Sequence, residues 1–128
     1  MISREQVDQL EKLTGQAEAH HLEFTALAKK SPTDAVNQFK LKLVNATIVE
    51  CNQLLGETYL PFDEFEKFDS DDVPSNSDVT LVLAQYSQAL EKMRSDNIFM
   101  RGGFWYYEFS EPGPDVNTNP PARLSRKG

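Results

Sequence analysis

The hydrophobic residues of this chain recur mainly at helical spacing, and one short stretch alternates like a strand. Over residues 4–30, apolar and aromatic side chains return every three or four positions, which places them on one stripe of a long amphipathic helix. Ser3 and Gln6 have the spacing of a capping box, so we expect this helix to begin at residue 4. The stripe consists of Leu10, Leu13, Ala17, His20, Phe24 and Leu27.

A second helix is predicted over residues 32–55. Ser31-Pro32 is a typical helix start, because proline at the first helical position sacrifices no hydrogen bond, and Gly56 is a natural stop. The joint to the first helix is so short that the two helices should fold back as an antiparallel pair. The apolar positions form one broad face: Val36, Phe39, Leu43, Val44, Ile48, Val49, Cys51, Leu54 and Leu55.

The third helix is predicted over residues 77–95, where apolar side chains again recur at helical spacing. Ser75 or Ser77 is its expected cap, and Asp78 would lie near the positive N-terminal end of the helix dipole. Three helices that each bury one stripe predict an all-α fold with minor β structure. We expect an antiparallel three-helix bundle of long helices that forms a single domain over residues 1–110.

Strand-like alternation is found near the C-terminus. Gly102-Gly103 separates two runs of aromatic and β-favouring residues, which predicts a small aromatic β-hairpin over residues 98–109. Because an isolated hairpin is marginally stable in water, one of its faces should pack on the bundle. Residues 111–128 contain four of the seven prolines and are predicted to form a flexible tail.

The charge of the chain is concentrated in one segment. Its 20 acidic and 13 basic residues give a formal charge of −7. Residues 57–78 hold eight acids and one base, so this segment accounts for the whole excess and the rest of the chain is neutral. Broad nucleic-acid binding is disfavoured, because phosphate contacts require clustered lysines and arginines.

The acidic segment connects the second and third helices, and a connection of that length is unusual without structure of its own. We expect a short helix there, with Phe62, Phe65 and Phe68 facing the bundle at a spacing of three. Two interpretations remain. The acids form a solvated face that keeps the protein soluble, or they bind a basic partner protein, with aromatic residues as anchors.

The candidate partner-binding residues are six acids of this segment and two aromatic residues of the hairpin. Strand alternation places both aromatic side chains on one face, where they meet either the core or a partner. A homodimer is a further hypothesis, through the first helix, whose stripe also fits heptad spacing, or through the hairpin. The eight residues are Asp63, Glu64, Glu66, Asp69, Asp71, Asp72, Trp105 and Tyr107.

The sequence contains no recognisable catalytic or metal-binding motif, so we predict no catalytic residue, no cofactor and no metal. Cys51 lies on the apolar face, where a thiol is usually buried and inert. Glu18 and His21 have the Glu-x-x-His step of di-iron bundles, which require a second copy of it. His20 belongs to the apolar stripe, and a calcium loop counted from Asp69 lacks the required glycine and the final glutamate.

We therefore expect a small, non-catalytic protein–protein interaction protein. One alternative is an inhibitor or immunity-type protein whose carboxylates mimic nucleic-acid phosphates and block a basic site, and another is a helical enzyme or metal-binding protein. The chain shows no signal-peptide pattern and no apolar run that could span a bilayer, so a cytoplasmic location is expected. In size and style it resembles accessory proteins carried by bacterial phages or gene cassettes, a likeness that has no family motif.

Overall fold

A computed structural model describes residues 1–122, which form three α-helices and a small antiparallel sheet. The predicted class, mostly helical with minor β structure, agrees with this architecture. The helices are α1 (Arg4–Lys30), α2 (Gln38–Tyr59) and α3 (Asn76–Ser95), and the strands are β1 (Ile98–Arg101), β2 (Phe104–Tyr107) and β3 (Asn117–Thr118).

Helix α1 begins where its capping signal places it. The Ser3 hydroxyl accepts a hydrogen bond from the Gln6 backbone N–H at 3.0 Å, and the Gln6 side chain accepts one from the Ser3 N–H at 3.0 Å. Leu10, Leu13, Ala17 and Phe24 of the apolar stripe are buried in the core, and His20 and Leu27 are partly buried. A homodimer that used this stripe would therefore have to open the core.

Helix α2 begins at Gln38, so the predicted start at residue 32 is wrong. Asn37 is the N-cap, and its side chain accepts a hydrogen bond from the Lys40 N–H. The residues before it pair instead with the chain that precedes α3, as in the bond from Val36 N–H to the Pro74 carbonyl at 2.9 Å. This tertiary pairing outweighs the local start signal of Ser31-Pro32.

The predicted stop at Gly56 coincides with a break in the backbone of α2. Gly56 has φ +61° and ψ −172°, a conformation that a glycine adopts without the strain of a Cβ atom. One further turn follows, so the helix extends to Tyr59 rather than ending at residue 55.

Helix α1 runs opposite to both other helices. Ion pairs join Lys12 to Glu50 and Glu23 to Lys40, so residue numbers fall along α2 as they rise along α1. The side chain of Asn76, at the start of α3, donates a hydrogen bond to the carbonyl oxygen of the residue that follows α1, at 3.0 Å.

Helices α2 and α3 run in the same direction, which corrects the fully antiparallel arrangement expected from the sequence. Tyr59 at the end of α2 donates a hydrogen bond to Asp96, just after the end of α3, at 2.9 Å. The chain must therefore return along the length of α2 before α3 begins. Residues 60–75 make this return and are called the crossover segment below.

The short helix predicted within the crossover segment is not formed; a single 3₁₀ turn at Ser70–Asp72 is its one helical element. The distance to be covered explains this. The 22 residues of α2 extend about 33 Å. Sixteen residues would cover about 24 Å as a helix, but up to about 50 Å as extended chain.

The sheet has the strand order β1-β2-β3, with both pairs antiparallel. Gly102 and Gly103 join β1 to β2, and their φ values of +61° and +85° suit a two-residue hairpin turn. The third strand was not expected. Ile2, just before α1, forms an isolated bridge to Phe109, which attaches the sheet to the start of α1.

Within the predicted flexible tail, residues 116–122 are hydrogen-bonded to the sheet and to α3, which corrects the expectation that they have no structure, and residues 123–128 lie outside the described residues. The Tyr107 N–H donates to the Val116 carbonyl at 3.1 Å, and β3 pairs with β2 immediately afterwards. Prolines prevent helix formation there but leave enough carbonyl oxygens for hydrogen bonding. In the described part of the chain, no helix combines the length and apolar character needed to cross a membrane.

Candidate partner-binding surface

Three phenylalanines attach the crossover segment to the bundle. Phe62, Phe65 and Phe68 are half-buried, with ring centroids 5.7 Å and 5.2 Å apart along the series and edge-to-face geometry. The first two also lie 6.1 Å and 6.5 Å from the ring of Tyr86, which α3 buries in the core. Each such aromatic pair contributes about 0.5–1.5 kcal/mol beyond its buried area. The expectation that these phenylalanines face the bundle is confirmed, although the segment is not helical.

Two asparagines of α2 bind the backbone of the same segment. The Asn45 amide donates to the Phe68 carbonyl and accepts from the Phe68 N–H, both at 2.9 Å. The Asn52 amide nitrogen donates to the carbonyls of Phe65 and Glu66 at 3.3 Å and 3.1 Å. Side chains of α2 thus replace the neighbouring strand that an extended backbone would otherwise need.

Asn52 also links the crossover segment to α3. Its Oδ1 accepts a hydrogen bond of 2.6 Å from the Tyr86 hydroxyl. Burial raises the pKa of Tyr86 to about 12, against a smaller opposing effect of this bond, so the phenol stays protonated and remains a donor at neutral pH. The side-chain amide of Asn52 therefore connects α2, α3 and the crossover segment.

The acids of the crossover segment are held at the surface by this arrangement. All six candidate acids are exposed, and within residues 1–122 none forms an ion pair with a lysine or arginine, whereas five acids elsewhere do. Asp69 also accepts the Asp71 N–H at 2.9 Å and caps the 3₁₀ turn. The exposed acids are Asp63, Glu64, Glu66, Asp69, Asp71 and Asp72.

An open groove of about 1080 Å³ lies between α2 and the crossover segment. Three acids and one base, Glu64, Glu66, Asp69 and Lys67, stand on the segment side, and Phe68 contributes an apolar patch next to them. Helix α2 contributes a mixed wall: Gln38, Leu41, Lys42, Asn45, Ala46, Val49 and Glu50. The groove therefore combines apolar surface with a wall of negative charge.

The ridge of α2 beside this groove is apolar and faces solvent. Phe39 is 68% exposed, Leu43 45% and Val49 37%, and Ala46 between them is also exposed. The broad apolar face predicted for this helix is thus divided. One part enters the core through Val44 and its neighbours, and the other remains uncovered in this chain.

The hairpin contributes less than predicted. Tyr107 is 2% exposed and its hydroxyl donates to Glu11 at 3.2 Å, so its assignment as a partner-binding residue is wrong. Its ring points into the core because β2 is attached to the start of α1. Trp105, on the same face, is half-buried and opposite Thr118 of β3. Phe104, 63% exposed, is the aromatic residue of β2 that faces solvent.

Cys51 and His20, the side chains with the most potential for chemistry, lie in surroundings that do not activate them. Cys51 is buried, and burial raises the pKa of its thiol to about 12, with a smaller effect from Glu50. His20 is half-buried with its Nε2 3.1 Å from the Thr47 hydroxyl, and burial lowers its pKa. Among residues 1–122, no group of three or more His, Cys, Asp and Glu side chains is arranged to hold a metal ion.

Asn45 and Asn52 were not predicted as functional residues. The signal that indicates them is their spacing of seven on a helix whose neighbouring positions are apolar, since such a spacing places two polar side chains on one flank. No protein-family model, curated protein or solved structure matches this chain. The function proposed for it rests on the geometry of the described residues.

Proposed function

We propose that this protein is a non-catalytic interaction protein and that the acids of its crossover segment bind a positively charged partner protein. The observation that supports this is a set of exposed carboxylates without ion-pair partners in the described chain, on a backbone that Asn45 and Asn52 fix to α2. Opposite charge accelerates association. A backbone that is already ordered also lowers the entropy lost on binding.

The same features disfavour the alternative in which the acids of the crossover segment serve only to keep the protein soluble. Charge alone keeps a protein soluble whether or not its backbone is ordered. Here the segment is bound by three aromatic side chains and two amides, which is the arrangement that recognition of a partner requires. The thiol of Cys51 is buried and its pKa is raised to about 12, so it is unsuited to act as a nucleophile, which supports the non-catalytic part of the proposal.

The test is capture of partner proteins by immobilised protein from a lysate of the source organism. The variant Asp69→Asn, Asp71→Asn, Asp72→Asn removes three charges, while the amide introduced at position 69 retains an acceptor for the 3₁₀ turn. We expect proteins retained by the wild type at about 0.05 M salt to be lost from the variant, and to be released from the wild type at about 0.5 M salt.

A matched control removes three charges elsewhere. Glu5→Gln, Asp8→Asn, Glu18→Gln changes exposed acids of α1 and gives the same net charge. It should retain the partner, because the proposal concerns one surface rather than the total charge. Equal capture by the wild type and the variant in the crossover segment would refute the proposal. Displacement of the captured partner by DNA would favour the nucleic-acid-mimic alternative instead.

A further inference from the structure

We propose that the solvent-facing side of α2 binds an amphipathic helix of the partner, with the basic flank of that helix directed at the crossover segment. This inference rests on the proposed function and specifies the form of the partner. It predicts a requirement for apolar contacts that binding to acids alone does not have.

Over residues 39–49, α2 carries apolar side chains on two opposite sides. Leu41 and Val44 are buried in the core, whereas Phe39, Leu43 and Val49 are exposed on the opposite side, with the exposed Lys42 among them. A surface helix normally carries one apolar stripe, which it buries against its own core. The second stripe, on the outer side of α2, is therefore available to a partner.

The exposed apolar residues of α2 have the width and length of a helix-binding stripe. At about 100° per residue, Phe39, Leu43, Ala46 and Val49 fall within an arc of about 120°, which is the width of a helix-binding stripe. From the first to the last of them α2 rises about 15 Å, close to three turns. Phe39 and Leu43 form an i, i+4 ridge, and Ala46 and Val49, which line the groove, continue the stripe toward the crossover segment. A second helix packs against ridges of this kind.

The far wall of the groove has a net negative charge. It carries Glu64, Glu66 and Asp69 against one base, Lys67, on a backbone held in place by side chains of α2. A helix seated on the ridge would present one flank to this wall. Lysines and arginines on that flank would gain favourable contacts there, and acids would be repelled. The surface therefore fits a basic amphipathic helix.

A second copy of this chain fits the same surface poorly. Two copies packed through α2 would bring two segments of residues 57–78 together, each with a net charge of −7. Like charges in contact oppose association. The apolar stripes of α1 and α3 are already buried in the core and offer no complementary helix.

The experiment uses the intact protein and a fluorescent synthetic peptide of leucine and lysine, about 14 residues long, with leucine at helical spacing. Its scrambled isomer has the same composition but no apolar face. We expect the amphipathic peptide to bind at least about tenfold more tightly than the isomer in fluorescence anisotropy, because only it buries a continuous apolar stripe.

The decisive variant is Phe39→Ser, Leu43→Ser, which should weaken binding of the amphipathic peptide by at least about tenfold. Leu22→Ser, Leu81→Ser is the matched control, because these leucines are 75% and 62% exposed on α1 and α3, away from the groove. Binding to the control should be unchanged. All four positions are exposed, so circular dichroism should show folded protein in each case.

The outcomes separate the two proposals. If Glu64→Gln, Glu66→Gln, Asp69→Asn weakens peptide binding and the ridge variant does not, this inference is wrong and the proposed function stands. If neither variant weakens binding, this inference is wrong, and the capture experiment decides the proposed function separately. A dimer of the free protein in light scattering that the ridge variant converts to monomer would assign the surface to a second copy and overturn the inference.

Discussion

Asn45 and Asn52 lie seven residues apart on α2, and both bind the backbone of the crossover segment through their side-chain amides. Two helical turns rise about 10.5 Å. Their backbone partners, Phe65 and Phe68, are three residues apart, and three residues of extended chain also cover about 10 Å. The spacing of the asparagines along α2 thus matches the spacing of their partners along the extended segment, so each asparagine meets a peptide group of the segment that carries the exposed acids.

The first prediction concerns Asn45→Ala, which leaves both backbone groups of Phe68 without their side-chain partner. Removing two hydrogen bonds of this kind should lower the free energy of unfolding by about 1–3 kcal/mol in urea denaturation. Hydrogen exchange at the Phe68 amide should also accelerate. Gln53→Ala, an exposed change on the same helix, should alter stability by less than about 0.5 kcal/mol. Equal stability of the two variants would show that Asn45 does not hold the segment.

The second prediction concerns Arg94 and Glu91, which together bind the chain that follows β3. The Arg94 guanidinium forms a bidentate ion pair with Glu91 at 2.9 Å and donates to the carbonyls of Asn119 and Pro120, both at 2.8 Å. The Glu91 carboxylate accepts the Ala122 N–H at 2.9 Å. Both side chains are largely buried, with 13% and 19% exposure.

Arg94→Lys keeps the charge but loses the planar set of donors that reaches several acceptors at once. We expect faster hydrogen exchange and faster proteolysis within residues 111–122, with a loss of about 1–3 kcal/mol in stability. Lys92→Ala removes an exposed surface ion pair and should cost less than about 1 kcal/mol. Protection of residues 111–122 that is unchanged in Arg94→Lys would contradict the role given to Arg94.

The sequence predicts those parts of the fold that depend on neighbouring residues. The start of α1 follows from Ser3 and Gln6, because a capping hydrogen bond spans three residues. For α3 the sequence offers Ser75 or Ser77 as the cap with a helix from residue 77, and the structure uses Ser75 and begins the helix at Asn76. The start of α2 does not follow, because pairing with residues near Pro74 decides it. The formation of β3 also depends on residues that are distant in sequence, since β3 pairs with β2 and Thr118 accepts a hydrogen bond from Arg94.

The candidate surface shows the same division. The acids are exposed and clustered, as their composition predicts, because charged side chains rarely enter a core without partners. Which apolar residues stay outside could not be predicted. Phe39 and Val44 look equivalent in sequence, and only the position of α1 and α3 decides which of them is buried. Likewise, alternation separates Phe104 from Tyr107 but does not say which of the two faces the core.

The third prediction is that Cys51 resists thiol reagents. Its side chain is buried and burial raises the pKa of the thiol to about 12, so the reactive thiolate is scarce at pH 8. Native protein should react with a chromogenic disulfide only as fast as the fold opens, whereas protein in denaturant should react at once. Rapid reaction of the native protein would show that α2 exposes this residue.

The fourth prediction concerns stability between pH 7.5 and pH 5. The Thr47 hydroxyl donates to the Gln16 side chain at 3.2 Å, so its oxygen accepts a hydrogen bond from Nε2 of His20. Burial lowers the pKa of His20 below its ordinary value of 6.5. The unfolded chain therefore binds a proton more readily than the folded chain, and this histidine favours unfolding as the pH falls.

The contribution of His20 to folding should be fully present above the unfolded pKa of about 6.5 and should be lost as the pH falls toward the lowered folded pKa. His20→Gln keeps a donor for the Thr47 hydroxyl but does not titrate, so its stability should fall less than that of the wild type between pH 7.5 and pH 5. Because all other ionisable groups are shared by the two proteins, the difference between their urea-unfolding curves isolates His20. Parallel pH dependence of the wild type and His20→Gln would exclude this residue as a source of acid sensitivity.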